Sequence, residues 1–179
     1  MITLPIEEEV IVQAANYVDS RKLGKRGKFD GNRTEQIVGM TGEFMVAKIL
    51  GMNIPTIEDG FDGGWDLNIG GKRIDVKTMG RTTSPKPEFV NNILKMQYHY
   101  KATHFVFCSL NKKNRELTIC GLISKEELPN KATFHKQGEV RTRTNGTKFE
   151  LQADTYEIAN RDLVQVNSIA ELKELLIFG

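Results

Sequence analysis

The stretch Asp66-Leu67-Asn68-Ile69-Gly70-Gly71-Lys72-Arg73-Ile74-Asp75-Val76-Lys77 leaves the chain few choices. Apolar and polar residues alternate on both sides of a Gly-Gly pair, the pattern of two half-buried strands joined by a tight turn. Any loop centred on Gly70-Gly71 pairs residues whose numbers sum to 141, so Leu67 faces Ile74 on the buried side and Asp66 faces Asp75 on the polar side. Slipping by one residue would turn every side chain to the wrong face, so a single register satisfies both faces.

That register sets two carboxylates directly opposite one another. Opposed side chains have Cβ atoms roughly 4.5–5.5 Å apart, and like charges at that spacing destabilise the pair. A shared proton or a divalent cation would offset the repulsion. A hard cation such as Mg²⁺ takes a few carboxylates, water and substrate phosphate oxygens. Lys77, two residues past Asp75, projects from the same face. The competing reading is a solvated polar face on which Lys77 only neutralises an aspartate, and a lone D-x-K does not separate the two.

The 179 residues fit one domain with a real core, and 39% hydrophobic with 27% charged residues is a globular composition rather than a disordered one. No apolar run approaches the ~18 residues that span a bilayer. The opening MITLPIEEEV has neither the basic nor the apolar region of a secretion signal, so a cytoplasmic location without a membrane partner is expected. Cys108 and Cys120, each inside an apolar strand-like run, are expected to be buried free thiols, and two thiols without a CxxC and three scattered histidines make a poor zinc site. The net charge of +2 is unevenly spread: residues 21–33 hold six Lys or Arg against Asp30, and residues 131–148 hold five plus His135 against Glu139. Flexible basic segments suit phosphate contacts that carry no sequence information, although a solvated loop has the same charge.

Along the chain, a first helix is expected from about Pro5 to Asp19, then the glycine-rich basic loop. A second helix runs from about Thr34 to Leu50, with Asn32 and Glu35 as a capping box and Gly51 past its end. Glu43 lies on its apolar side among Gly39, Met40, Val46 and Ala47, so its carboxylate points toward whatever the helix packs on, unless it reaches solvent at the helix edge. A short strand or loop at 53–57 and the glycine-rich EDGFDGGW lead into the hairpin; Asp59 and Asp62 there read as turn residues, since their spacing fails the EF-hand pattern. After Pro85 and Pro87 a helix is expected over roughly Glu88–Lys101, then two centrally buried strands, His104–Leu110 and Leu117–Ser124. Arg141–Ala153 reads as a hairpin around Asn145-Gly146, and Ser168-x-x-Glu171 caps a final helix ending near Ile177.

A helix with Gly42-Glu43, a strand with Asp66 in GGWDLNI, and a strand with Asp75-Val76-Lys77 in RIDVKT, followed by helix and strand, resembles the PD-(D/E)xK nuclease superfamily, the restriction-endonuclease-like fold. The resemblance covers about residues 34–124. Trp65 stands where the family pattern has a proline that bears no chemistry. The fold class expected is α/β, an α+β mixed sheet with an α-β-β-β-α-β core. Residues 1–33 would add a helix and basic loop, and residues 130–179 an accessory hairpin and terminal helix in one single domain.

The resemblance implies a metal-dependent DNA endonuclease that leaves a 5′-phosphate. Asp66 and Asp75, the carbonyl of Val76, and Glu43 directly or through water, would hold Mg²⁺ or Mn²⁺, and Lys77 would orient the attacking water and stabilise phosphate charge. Candidate nucleic-acid contacts are Lys22, Lys25, Arg26, Lys28, Arg33, Arg81, Arg141 and Arg143. The alternative is a non-catalytic nucleic-acid-binding domain of the same fold. DNA against RNA, the DNA structure recognised, and homodimerisation stay open at this level.

Overall fold

The computed structural model describes residues 1–20, 31–52, 63–142 and 146–178. In chain order come β1 (Ile2–Pro5), α1 (Glu8–Ser20), α2 (Arg33–Leu50), β2 (Leu67–Ile69), β3 (Lys72–Arg81), β4 (Val90–Leu94), α3 (Lys95–Tyr98), β5 (His104–Asn111) and β6 (Glu116–Ser124). The rest of the chain supplies α4 (Leu128–Lys131), β7 (Thr133–His135), β8 (Val140–Thr142), β9 (Lys148–Glu150), β10 (Thr155–Ala159) and α5 (Ile169–Ile177).

Among the described residues the main sheet has five strands in the order β1-β6-β5-β3-β2. Only β3 and β5 run parallel; the other pairs are antiparallel, so the sheet is mixed and the class is α+β. The hairpin has the register its Gly-Gly turn requires: Leu67 pairs with Ile74 and Ile69 with Lys72. Gly70 and Gly71 have φ of 56° and 78°, the two positive angles of a type I′ turn. β5 and β6 are the central strands, buried along nearly their whole length.

The sheet separates two cores. Ile74, Val76, Val106 and Cys108 pack with Val10, Ala14, Phe44 and Val46 of α1 and α2, and Leu172 and Leu176 of α5 complete this side. Phe105, Phe107, Cys120 and Ile123 pack on the other side against Ile93 and Ile158. Each fully buried valine, leucine, isoleucine or phenylalanine among them contributes on the order of 1.5–3 kcal/mol. The β5–β6 register shifts between Phe107 and Cys108, and the two cysteines end in different cores. Both are free thiols, as their apolar surroundings suggested.

Local signals located several elements well. Asn32 accepts from the Glu35 amide and Glu35 accepts from the Asn32 amide, closing the capping box of α2, and Gly51 ends it at φ 74°. Ser168 likewise caps α5. Two expectations need correction. The first helix does not open at Pro5: Ile2–Pro5 form an edge strand paired with β6, and the helix begins at Glu8. Residues 88–101 are not one helix: Val90–Leu94 form β4, which pairs with β10, and α3 is a single turn. The pairing of Ile93 with Tyr156 and of Asn91 with Ile158 draws this segment into a sheet that no local pattern announces. Residues 130–179 accordingly hold more than a hairpin and a helix, because β10 lies between β4 and β7 in a second sheet of three strands. The hairpin itself is present, β8 pairing with β9. The expectation for residues 53–57 lies outside the described residues. No helix among the described residues is long and apolar enough to cross a membrane.

Candidate active site

The site is built where β2 stops and β3 continues. Asp66 immediately precedes β2, and its amide donates at 2.8 Å to the carbonyl of Ile74, the residue that already faces Leu67, so the ladder ends at the Leu67–Ile74 pair without the further Asp66–Asp75 pair that the turn predicts. In a strand, a residue's N–H and C=O leave on one edge and its neighbour's on the other. Ile74 and Val76 therefore turn their peptide groups toward β2, but β2 supplies no residue to pair with Val76. The Asp66 carboxylate takes that place: its Oδ2 accepts from the Val76 amide at 2.6 Å. The carbonyl of Val76 leaves on the same unpaired edge.

Asp75 and Lys77 project from one side of β3, and Lys77 Nζ lies 2.6 Å from Asp75 Oδ1. Asp75 is 4% exposed at its side chain and Lys77 22%. The second Asp75 oxygen, Oδ2, is buried and has no hydrogen-bond partner among the described residues.

Glu43 arrives from α2, on the opposite face of the sheet. A β-carbon at Gly42 would stand 1.8 Å from Thr78 Oγ1, so only glycine lets the helix lie this close to β3. Glu43 is half-buried as a residue. Asp66 is half-buried as a residue while its carboxyl group is enclosed. Burial first, then the charge of Glu43, then that of Asp75, push the Asp66 carboxyl well above the usual carboxylate range. The Lys77 charge and the Val76 amide oppose the rise. A carboxylate at the sheet edge is thus acted on from both faces, by a helix on one and by a strand side chain on the other.

No group of three His, Cys, Asp or Glu side chains among the described residues is gathered at metal-ligand spacing. The donors present are an aspartate whose charge is disfavoured by two neighbouring carboxylates and an aspartate with an unpartnered buried oxygen. They fit a hard cation such as Mg²⁺, which binds through one or two carboxylates, keeps several waters and completes its shell with substrate phosphate oxygens. Lys77 is the adjacent fixed positive charge.

The other expected contacts are distributed differently. Lys22, Lys25, Arg26, Lys28 and Arg143, with Asp59 and Asp62, lie outside the described residues. Arg33 makes a two-pronged bond to Asp19, at 2.7 and 2.6 Å. Arg81 donates to the Val90 carbonyl and stacks on Phe89, its guanidinium 4.7 Å from the ring centre. Arg141 pairs with buried Glu157. These three arginines are thus engaged within the chain, the first at the surface and the other two between elements. Sequence spacing also missed the setting of His135, whose Nδ1 lies 2.7 Å from Glu139 and whose Nε2 lies 3.3 Å from Glu157; nothing in the sequence marks that grouping.

Comparison with protein-family models, with curated proteins and with solved structures returned no match for this chain.

Proposed function

We propose that the chain is a metal-dependent DNA endonuclease of the PD-(D/E)xK type, hydrolysing phosphodiester bonds at the edge of β3. The observation that carries this reading is the meeting of Glu43, Asp66, Asp75 and Lys77 at one strand end, with a buried Asp75 oxygen left without a partner. The order α2-β2-β3-β4-α3-β5 follows the α-β-β-β-α-β order of that fold, although β4 turns away from the main sheet into the smaller one.

Asp66, Asp75 and the Val76 carbonyl would hold Mg²⁺ or Mn²⁺, with Glu43 acting directly or through water. The ion, when bound, supplies Lewis-acid stabilisation of phosphate charge and a more acidic water. Lys77 orients the attacking water and stabilises charge on the non-bridging oxygens. Its ion pair with Asp75 holds the ammonium beside the strand edge, so little reorganisation is needed when the phosphate arrives. The Val76 amide fixes the orientation of the Asp66 carboxylate. Gly42 sets how near α2 brings Glu43.

The test is cleavage of duplex, single-stranded, flap and four-way-junction DNA with and without Mg²⁺. Lys77→Ala should keep metal and DNA binding while the rate falls on the order of 10²-fold or more, the scale for losing one electrostatic stabiliser. Asp75→Asn should lose activity together with metal affinity. Parent-rate cleavage by Lys77→Ala, or no cleavage of any nucleic acid with any divalent ion, would replace this mechanism with the non-catalytic binding domain.

A further inference from the structure

The side of β3 that carries Asp75 and Lys77 also carries an aromatic strip that the nuclease chemistry leaves unused. Asp75 and Lys77 stand in parallel register with Phe105 and Phe107, so all four side chains leave the sheet on one side. The two phenylalanines belong to the second core, and Tyr98 and Tyr156 pack against the rim of that core. Tyr156 lies 5.6 Å, centre to centre, from Tyr98 and 5.1 Å from Phe134, its cross-strand partner on β7. Lys125 Nζ is 5.2 Å from the centre of Tyr98 and Lys95 Nζ is 5.4 Å from that of Phe134. Three adjoining rings therefore run between two ammonium groups.

Core packing accounts for the half-buried tyrosines, but not for Phe134. This residue sits on a three-residue edge strand, is 39% exposed, and has no polar end to place in water. Lys95 is 48% exposed at its side chain, and its ammonium lies a long 3.4 Å from Asp154. Lys125 donates to the Tyr100 carbonyl at 2.6 Å, which fixes its position beside Tyr98.

We propose that Phe134, Tyr156 and Tyr98 form a stacking platform for unpaired bases, with Lys95 and Lys125 attracting the phosphates, so that the substrate is single-stranded DNA or DNA with a single-stranded segment. In a duplex the faces of the bases are covered by their neighbours. In a single strand they are free to stack on aromatic side chains, in a way that tolerates any sequence. The platform lies on the same side of the sheet as Asp75 and Lys77, so a strand held there is presented to the face from which cleavage would act. The fate of the bound strand rests on the nuclease reading; the binding does not.

The experiment measures affinity for a fluorescent single-stranded oligonucleotide, for its duplex and for the same strand as RNA, in EDTA so that nothing is cleaved. The parent should prefer single-stranded DNA to both. Phe134→Ala with Tyr156→Leu should weaken single-strand binding about tenfold or more while leaving its salt dependence unchanged, because stacking releases no counterions. Lys95→Ala should flatten the salt dependence. Phe134→Leu, which keeps apolar contact with Tyr156 but removes the ring, should show the same direction of loss with a parent-like melting curve, and so separates stacking from folding. Unchanged affinity in Phe134→Leu, or tighter binding of duplex or RNA than of single-stranded DNA, would overturn the proposal. Platform-dependent binding by a protein that cleaves nothing would remove the nuclease reading and leave this one standing; cleavage of duplex alone would do the reverse.

Discussion

The Asp66 carboxylate accepts a hydrogen bond from the Val76 amide and feels the Lys77 charge, but burial and two neighbouring carboxylates outweigh both and disfavour it as an anion. Burial, Glu43 and Asp75 all favour its protonated form, so its folded proton affinity exceeds that of an unfolded aspartate. Between roughly pH 4, where an unfolded aspartate titrates, and the raised folded value, the native state binds more protons than the unfolded chain. Stability contributed by this group therefore falls as pH rises through that window. Asp66→Asn keeps an oxygen for the Val76 amide and removes the ionisation. In EDTA at neutral pH the variant should melt higher than the parent, and the gap should close on acidification. Added Mg²⁺ should raise the parent's Tm and not the variant's, because a ligand stabilises only the state that binds it. A parent that outmelts Asp66→Asn in EDTA at neutral pH would show that the carboxylate is stabilised as an anion, contrary to the enclosure described.

At the scale of elements, the closest approach is that of α2 to β3 through Gly42. In Gly42→Ala the new methyl would stand 1.8 Å from Thr78 Oγ1 and 2.9 Å from Thr78 Cβ, so the helix must retreat. Overpacking of this kind costs about 1–3 kcal/mol, measurable by urea unfolding. Because Glu43 moves with the helix, cleavage should fall as well. Adding Thr78→Ala removes the nearer clash and should restore part of both losses. A Gly42→Ala protein as stable and as active as the parent would mean that Glu43 needs no close helix. Elements also show the limits of local pattern: Val90–Leu94 has the composition of either helix or strand, and only its pairing with Thr155–Ala159 makes it β4.

Across the molecule, segments from both ends of the chain pack onto the mixed sheet. β1 pairs with β6, while α5 places Leu172 and Leu176 in the core under α2 and β3. The smaller sheet is attached through Ile93 and Ile158, and the β8–β9 hairpin is tied to it by Arg141 and Glu157. Glu157 is 6% exposed, pairs with Arg141, and has His135 Nε2 3.3 Å away. Removing the arginine strands a buried carboxylate, so Arg141→Ala should lose on the order of 2 kcal/mol or more in denaturant unfolding. DNA affinity, measured where the variant remains folded, should change little. Unaltered stability with weakened DNA binding would instead make Arg141 the phosphate contact that its basic segment suggested.

The sequence alone determined the hairpin and its register from Leu67 to Ile74, because a Gly-Gly turn acts on residues within a few positions of itself. It also determined α2 and α5, whose caps are local hydrogen bonds, and the two central strands, whose apolar runs are too long to lie at a surface. Only the tertiary structure decided that Ile2–Pro5 is a strand, since its partner lies more than a hundred residues away, and that residues 88–101 divide into β4 and a single helical turn. Tertiary packing likewise decided which charges are spent inside the chain, turning Arg33, Arg81 and Arg141 to Asp19, Phe89 and Glu157. It also assembled Phe134, Tyr156 and Tyr98 into one strip. Such placements depend on contacts between residues far apart in the chain, and a charge or a ring carries no local mark of the partner that folding will bring to it.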